Sequence, residues 1–333
     1  MTPGGGTGPL RVGLYFDLRN PPGWRRPWSA LYRDALDLAA DADRRGIGSI
    51  WLSEHHFFED GYLTQPLTFA SAVAARTTQA RIGTAVLLAA LRHPQHIAEE
   101  AAVVDLVSGG RLEIGIGAGY RVPEYEAFGA DISRRYTLTD SAVAEVRRRL
   151  HDPAAVPPPA QSAVPIWLGY QGPQGAARAG RLGVGLLSLE PSLLGPYREA
   201  LEQAGHDPGS ARMGGMVDIV VADDPERAFE AILPFYAYQA NTYRRYGVEG
   251  TGRPEPKELT VDKLRGGARQ MGQIPGLRVL TPDDAVAALR EQIAGLPVEH
   301  VYLWASVAGM PEEIAARHCE LVVTQVAPAL QAG

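Results

Sequence analysis

The sequence predicts a parallel (β/α)8 barrel, and three observations carry that reading. Short apolar runs recur eight times along the 333 residues. Most are separated by stretches with helical apolar spacing, the pattern of a parallel sheet covered by helices. The length suits a barrel with insertions, since barrels run to roughly 250 residues or more.

Residues 1–9 read as a flexible Gly/Pro/Thr tail, followed by one domain over 10–333. Arg11 to Phe16 is the first strand. Trp28 to Arg45 is a helix with Leu31, Ala35, Leu38, Ala39 and Ala42 on one face and Gly46 as its stop. Ser49 to Ser53 is the second strand, Pro66 to Thr77 a helix, and Ile82 to Leu88 the third strand. A helix starts near Pro94, is expected to bury Ile97, Ala101, Val104 and Val107, and ends at Ser108-Gly109-Gly110. Leu112 to Ile116 is the fourth strand, and Thr137 to Leu150 is helical. A Pro-rich connector at 152–165 leads to the fifth strand, Ile166 to Tyr170, and the helix Gly175 to Leu182. Val184 to Leu189 is the sixth strand and Ser192 to Ala204 a helix. Met216 to Ala222 is the seventh strand and Pro225 to Tyr246 a helix. An insertion rich in Gly, Pro and charge spans about 247–280. The helix Pro282 to Ala294, the eighth strand His300 to Ala305 and a helix over Pro311 to Leu330 complete the chain.

Composition narrows the function. Lys and Arg number 32 against 38 Asp and Glu, a net charge of −6, which argues against nucleic-acid partners. A single cysteine, Cys319, permits neither an internal disulfide nor a cysteine zinc site and suits a cytoplasmic location. No run reaches the roughly 18 apolar residues of a membrane span.

A barrel does its chemistry where its strands end. The second strand runs into Glu54-His55-His56-Phe57-Phe58, where histidines can move protons or serve as structural partners of the loop backbone. His93 and His96 flank Pro94 without helical zinc spacing, so cap and loop roles fit them better than metal and no metal is expected. Gly115-Ile116-Gly117-Ala118-Gly119-Tyr120 lacks the sixth-position glycine and immediate helix of a dinucleotide fingerprint; its glycines instead suit close approach of a flat ligand or a loop. Gly169-Tyr170-Gln171-Gly172 opens a helix, whose free N–H groups suit a phosphate, although such turns also occur without one. Trp24, Phe57, Tyr62, Tyr120 and Trp304 fall near strand ends, where aromatic side chains line a pocket or simply pack.

Several segments in this order, SIWLSEHHF (49–57), ARIGTAVLLAALRHPQHIAEEAAVVDLVSGGRLEIGIGAGY (80–120), EYEAFGAD (124–131), PIWLGYQGPQGAARAGRLG (165–183), TPDDAVAALREQIAGLPVEHVYLW (281–304) and GMPEEIAARHCELVVTQVAPAL (309–330), resemble the bacterial luciferase-like flavin monooxygenases. The resemblance runs from about Arg11 to Leu330. It implies a barrel that takes reduced FMN as a diffusible cosubstrate and reacts it with O2 through a C4a-peroxyflavin to oxidise a small organic molecule. It places His55 beside the flavin as the proton-handling residue, with His56 and Glu54 supporting it. It puts the ring against Ala85 and Val86, whose peptide bond is non-prolyl cis in some relatives, and against Gly117, Gly119 and Tyr120. It puts the phosphate at Gly169, Tyr170 and Gly172, and the substrate near Trp24, Phe57, Tyr62 and Trp304. The chain departs from luciferase at Gly117 and Ala118, where luciferase has Cys and a phosphate-binding Arg; Arg121 is the candidate substitute. The Glu and Ser of luciferase's phosphate turn are also absent.

Without a nicotinamide fingerprint, reduced flavin is expected from a separate NAD(P)H-dependent reductase. A homodimer is expected from the resemblance. A deazaflavin-dependent hydride-transfer oxidoreductase and a non-catalytic flavin-binding relative are the alternatives. The segment 240–280 is a candidate cover for the site.

Overall fold

The computed structural model describes residues 8–152, 154–265, 270–271 and 274–332. Its strands are β1 (Arg11–Phe16), β2 (Ser49–Leu52), β3 (Arg81–Thr84), β4 (Leu87–Leu88), β5 (Leu112–Gly117), β6 (Ile166–Leu168), β7 (Gly185–Leu187), β8 (Met213–Val217), β9 (Ile219–Val221), β10 (Gln270–Met271), β11 (Ile274–Pro275), β12 (Arg278–Leu280) and β13 (Val298–Trp304). The longer helices are α1 (Trp28–Arg44), α2 (Pro66–Arg76), α3 (Pro94–Ser108), α4 (Val122–Ala127), α5 (Arg135–Leu150), α6 (Gly172–Leu182), α7 (Leu194–Gln203), α8 (Pro225–Tyr246), α9 (Val261–Arg265), α10 (Pro282–Ile293), α11 (Glu312–Leu321) and α12 (Ala327–Gln331).

The hydrogen-bonded order β3-β2-β1-β13-β8-β7-β6-β5 closes through β3–β5, giving a parallel barrel of eight staves. The (β/α)8 expectation therefore holds. Helices cover the outside, and Val12, Leu14, Ile50, Ile82, Ile114 and Val301 are completely buried in the apolar layer. Aromatic rings fill the barrel itself: Trp51 packs on Tyr302 (centroids 4.8 Å apart) and on His300 (5.1 Å). Glu113 accepts hydrogen bonds there from His300 Nε2 (3.1 Å) and Trp167 Nε1 (2.6 Å) and pairs with Arg81. Burial alone would raise its carboxyl pKa; the His300 and Arg81 partners outweigh that and hold it at about 2.

Two predicted strands are divided. The third becomes β3 and β4 on either side of the cis peptide Ala85–Val86. The seventh begins earlier than expected: β8 lies in the barrel, while β9 leaves it to pair in parallel with β12 at the end of the insertion. Strand pairing across long sequence distances sets these breaks, and local hydrophobicity does not report it. A short helix, α4, follows Tyr120 after all; Pro123 sits in its first turn, where the missing N–H costs nothing. Of the tail, residues 1–7 lie outside the described residues, as do 266–269 and 272–273 of the insertion. Among the described residues no helix is long and apolar enough to cross a membrane.

Candidate active site

The loops at the C-terminal ends of the strands build a polar and aromatic mouth. His55 lies three residues beyond the end of β2 and is 9% exposed. Its Nδ1 lies 3.0 Å from Glu124 Oε1, in α4, and the His56 backbone N–H donates to the same oxygen at 2.9 Å. Burial alone would raise the Glu124 carboxyl; the hydrogen bonds from His55 and His56, with the Arg121 charge, more than offset it and hold it below the usual carboxylate range. An ionised carboxylate only accepts, so Nδ1 carries the hydrogen. In the neutral ring Nε2 is then left with its lone pair. Rings surround His55: Phe58 stacks on it at 4.8 Å, while Tyr62 (4.8 Å) and Tyr120 (5.2 Å) meet it edge-on.

Glu54 does not support His55. Its Oε1 accepts from His56 Nε2 (2.9 Å) and Arg92 (2.8 Å), and its Oε2 accepts the Leu88 N–H (2.8 Å). It ties the loop after β2 to β4. His56 is buried against Phe128 at 4.7 Å, so Glu54 and His56 form an adjacent brace and Glu124 is the residue that orients His55. The family-like segment 124–131 drew attention to this stretch, but its carboxylate lies 69 residues from His55 in sequence.

Arg121 is corrected more sharply. It is fully buried, donates to the His56 carbonyl and pairs with Glu249 and Glu124. Its guanidinium lies 4.7 Å from the Phe58 ring centroid and 4.4 Å from that of Tyr246. Its two terminal nitrogens are thus engaged by the protein, and its Nε is buried without a partner among the described residues. A second buried cation, Arg19, bonds Asp60 through Nε at 2.6 Å and also donates to Thr242. It packs against Tyr62 and Tyr243, whose hydroxyls are 3.0 Å apart. Thus α8 and the start of the insertion wall the mouth beside His55.

The floor lies across from this wall. Ala85, Val86, Gly169, Leu187 and Met216 are all partly exposed there. Gly117 and Gly169 are glycines for one reason: a Cβ on either would overlap the Val86 side chain. Gly119, at φ 66°, turns the chain toward α4. Tyr120, 40% exposed, stands above with Phe57 (59%) at the rim. Leu187, Met216 and Asp218 are additions that sequence reading missed; their positions at the ends of β7 and β8 were the available signal. Asp218 accepts from Trp304 Nε1 at 2.6 Å, and burial lifts its carboxyl to about 6.

The structure separates other expected site residues. Tyr170 turns outward, buried in the helix layer with its hydroxyl 3.1 Å from Asp140 of α5, so its ring is not over the floor. Gly172 opens α6 at φ 72°, and α6 has no side-chain cap, which leaves its first N–H groups available. Tyr62 and Trp304 are buried wall residues. Trp24 lies outside the mouth, edge-on to Phe235 at 4.5 Å. His93 caps α3 by accepting the Gln95 N–H at 3.2 Å. No three His, Cys, Asp or Glu side chains gather to hold a metal ion among the described residues.

A parallel barrel with an oriented histidine and a small-residue floor at its C-terminal mouth has the layout of a barrel oxidoreductase. The chain belongs to the luciferase-like monooxygenase family, whose model matches residues 13–322. Among its relatives, the oxygenase component of the flavin-dependent trigonelline monooxygenase of Acinetobacter baylyi is 38% identical over 96 residues, 29% of this chain and 27% of that protein. An F420-dependent glucose-6-phosphate dehydrogenase of Kineococcus radiotolerans is 29% identical over 225 residues, 58% of this chain and 66% of that one. The crystal structure of the monooxygenase RslO1 from Streptomyces bottropensis superposes with a TM-score of 0.75 at 24% identity, covering 96% of this chain and 99% of that one.

Proposed function

We propose that the mouth binds reduced FMN as a diffusible cosubstrate and, with O2, oxygenates a small, partly apolar organic substrate. The observation that carries this reading is the pairing of a floor made by Ala85, Val86, Gly117 and Gly169 with a histidine oriented by a buried carboxylate. The floor suits a flat ring because the two glycines bring backbone, with no side chain of their own, up to Val86. The open N-terminus of α6 at Gly172 suits the phosphate. Reduced flavin supplies the electrons that activate O2. His55 takes or returns a proton at Nε2, while Glu124 holds its tautomer through Nδ1. The rings of Phe58, Tyr62, Tyr120 and Tyr243 exclude water from that side. Phe57 and Phe128 give the rim an apolar character suited to an organic substrate.

A separate NAD(P)H-dependent reductase supplies the reduced flavin, as the oxygenase-component relative suggests. A homodimer belongs to the same reading, and the exposed apolar Val103, Leu106 and Val107 of α3 are residues such a dimer would cover; light scattering checks the pairing. The second reading is deazaflavin-dependent hydride transfer, favoured by the F420-dependent relative.

Anaerobic titration with reduced FMN and with reduced F420, followed by oxygen-electrode measurement, separates the readings. Binding of reduced FMN and oxygen uptake linked to substrate oxidation are expected. Tight F420 binding with none for FMN overturns the proposal, as does turnover that His55→Ala leaves unchanged.

A further inference from the structure

The carboxylates in the loops beyond the strands are not equivalent. Glu54 has both oxygens engaged. Asp17, Asp60 and Glu124 each keep one unpaired oxygen, and in each case that atom is sealed from solvent. Asp218 differs. Its Oδ1 accepts from Trp304 Nε1 at 2.6 Å, while its Oδ2 has no hydrogen-bond partner among the described residues and is not sealed. The residue is partly exposed.

The strand register turns this side chain into the mouth. On β13, His300, Tyr302 and Trp304 alternate onto the ring-filled inside of the barrel, touching Trp51 and Tyr15 there. Met216 of β8 stands opposite Tyr302. Asp218, two residues on, takes the same side and meets Trp304, the next inward ring. Its own carbonyl is held from outside the barrel by the Arg278 N–H of β12 at 2.9 Å. The Trp304 ring lies edge-on to Tyr15 at 4.9 Å, the Tyr15 hydroxyl is 3.3 Å from that of Tyr62, and Tyr62 meets His55. Asp218 and His55 therefore stand on one aromatic wall.

We propose that Asp218 is a specificity-determining residue of the mouth: its Oδ2 accepts a hydrogen bond from a hydroxyl group of the organic substrate, whose apolar body lies over Leu187 and Met216. The inference rests on the reading of the mouth as an oxygenation site and adds to it the polar group of the substrate. A carboxylate oxygen in an apolar surround is costly while unpaired, and a ligand donor relieves it. A neutral donor suffices, because the Trp304 N–H and the Arg278 charge already favour the ionised form. A substrate carboxylate would set like charges together. Burial outweighs both partners and lifts the carboxyl to about 6; Tyr236 of α8 is the other titratable group within reach of its charge.

The test uses the indole N–H signal of Trp304, assigned by its loss in Trp304→Phe, in nitrogen-15 spectra of the full chain at pH 8. Benzyl alcohol, benzyl methyl ether, benzylammonium chloride and benzoate are titrated in parallel. The alcohol is expected to bind at least fivefold more tightly than the ether, and benzoate more weakly than either. Asp218→Asn keeps an oxygen for Trp304 and puts an NH2 group where Oδ2 stood, so the alcohol-to-ether ratio should fall to about one. If that variant fails to fold, lowering the pH of the wild type from 8 to 5 protonates the carboxyl and should narrow the ratio in the same way. Equal affinity for alcohol and ether in the wild type, a preference that Asp218→Asn retains, or tighter binding of benzylammonium than of the alcohol overturns the proposal. So does loss of alcohol binding when FMN is added, which would put Asp218 in the flavin's own site. The flavin reading fails separately: absence of FMN binding would leave the alcohol preference intact, and flavin-dependent oxygen uptake without that preference counts against Asp218 alone.

Discussion

Replacing Glu124 tests the geometry of the site without any substrate. Three contacts converge on its Oε1: His55 Nδ1 at 3.0 Å, the His56 N–H at 2.9 Å and Arg121 at 3.4 Å. Glu124→Gln keeps a carbonyl there and loses only the charge. Hydrogen bonds to an ionised group contribute about 1.5–3 kcal/mol against about 1 for neutral ones. Arg121 retains Glu249, and a buried amide is easier to desolvate than a carboxylate, so the net loss is about 2 kcal/mol. Glu124→Ala leaves two buried donors without an acceptor and should cost about 4 kcal/mol. At about 2 °C per kcal/mol for a chain of this size, the two variants should melt roughly 4 and 8 °C below wild type. Nitrogen-15 spectra of labelled histidine provide the readout a merely structural role would not move. They should report an Nδ1-protonated His55 ring in wild type and in Glu124→Gln, and loss of that preference in Glu124→Ala. An alanine variant that melts within 2 °C of wild type with the same His55 signal would refute the claim that Glu124 orients the ring.

Four further outcomes follow from the same contacts. Glu113→Gln should cost about 3 kcal/mol at pH 7. The folded pKa of about 2 lies below the ordinary 4.5, so that stability is present above 4.5 and disappears as pH falls through 2; denaturant melts at pH 7 and 2.5 should show the difference shrinking. Asp17→Asn should have the opposite profile, because a carboxyl raised from 3.8 to about 7 favours the fold only while protonated; its advantage over wild type should grow between pH 4 and 8 toward about 4 kcal/mol, and a flat difference would contradict the burial argument. Gly169→Val should weaken binding of reduced FMN at least tenfold, read by anaerobic titration, because its side chain displaces Val86 from the floor. His55→Asn should reduce turnover by about 100-fold or more while leaving flavin affinity within a few-fold, measured by stopped flow; equal rates would remove His55 from the chemistry.

The barrel was legible because its eight staves are short apolar runs with helical stretches between most of them, and both signals are local. The breaks in β3/β4 and β8/β9 were not, since they depend on pairing with β5 and with β12, the latter more than 50 residues away. His55 was legible from its place immediately after an apolar strand. Its partner was not, because Glu124 reaches it only after α4 folds back over the mouth. Arg121 misled for a related reason: sequence shows a free cation near a glycine-rich turn, whereas Glu249, 128 residues on, neutralises it. Tyr170 could have been assigned correctly. Side chains alternate along a strand, so once Gly169 faces Val86 its neighbour must face the helices.

The two buried arginines explain how the insertion and the site depend on each other. The loops after β1, β2 and β5 have no apolar strand of their own with which to hold a fixed wall around His55. Arg19 and Arg121 connect them instead to α8 and its continuation, Arg19 by reaching Thr242 and packing against Tyr243, Arg121 by pairing with Glu249 and packing against Tyr246. A planar guanidinium can present its face to a ring while its edge donates hydrogen bonds, which a lysine ammonium cannot do. Each arginine thus fastens an otherwise mobile type of segment to a 22-residue helix. The rings around His55, from the loops after β2 and β5, are therefore held in place by chain that follows barrel strand seven. Variation in that stretch can reshape the substrate side of the mouth, while the glycine floor, built from β5 and the turn after β6, stays as it is.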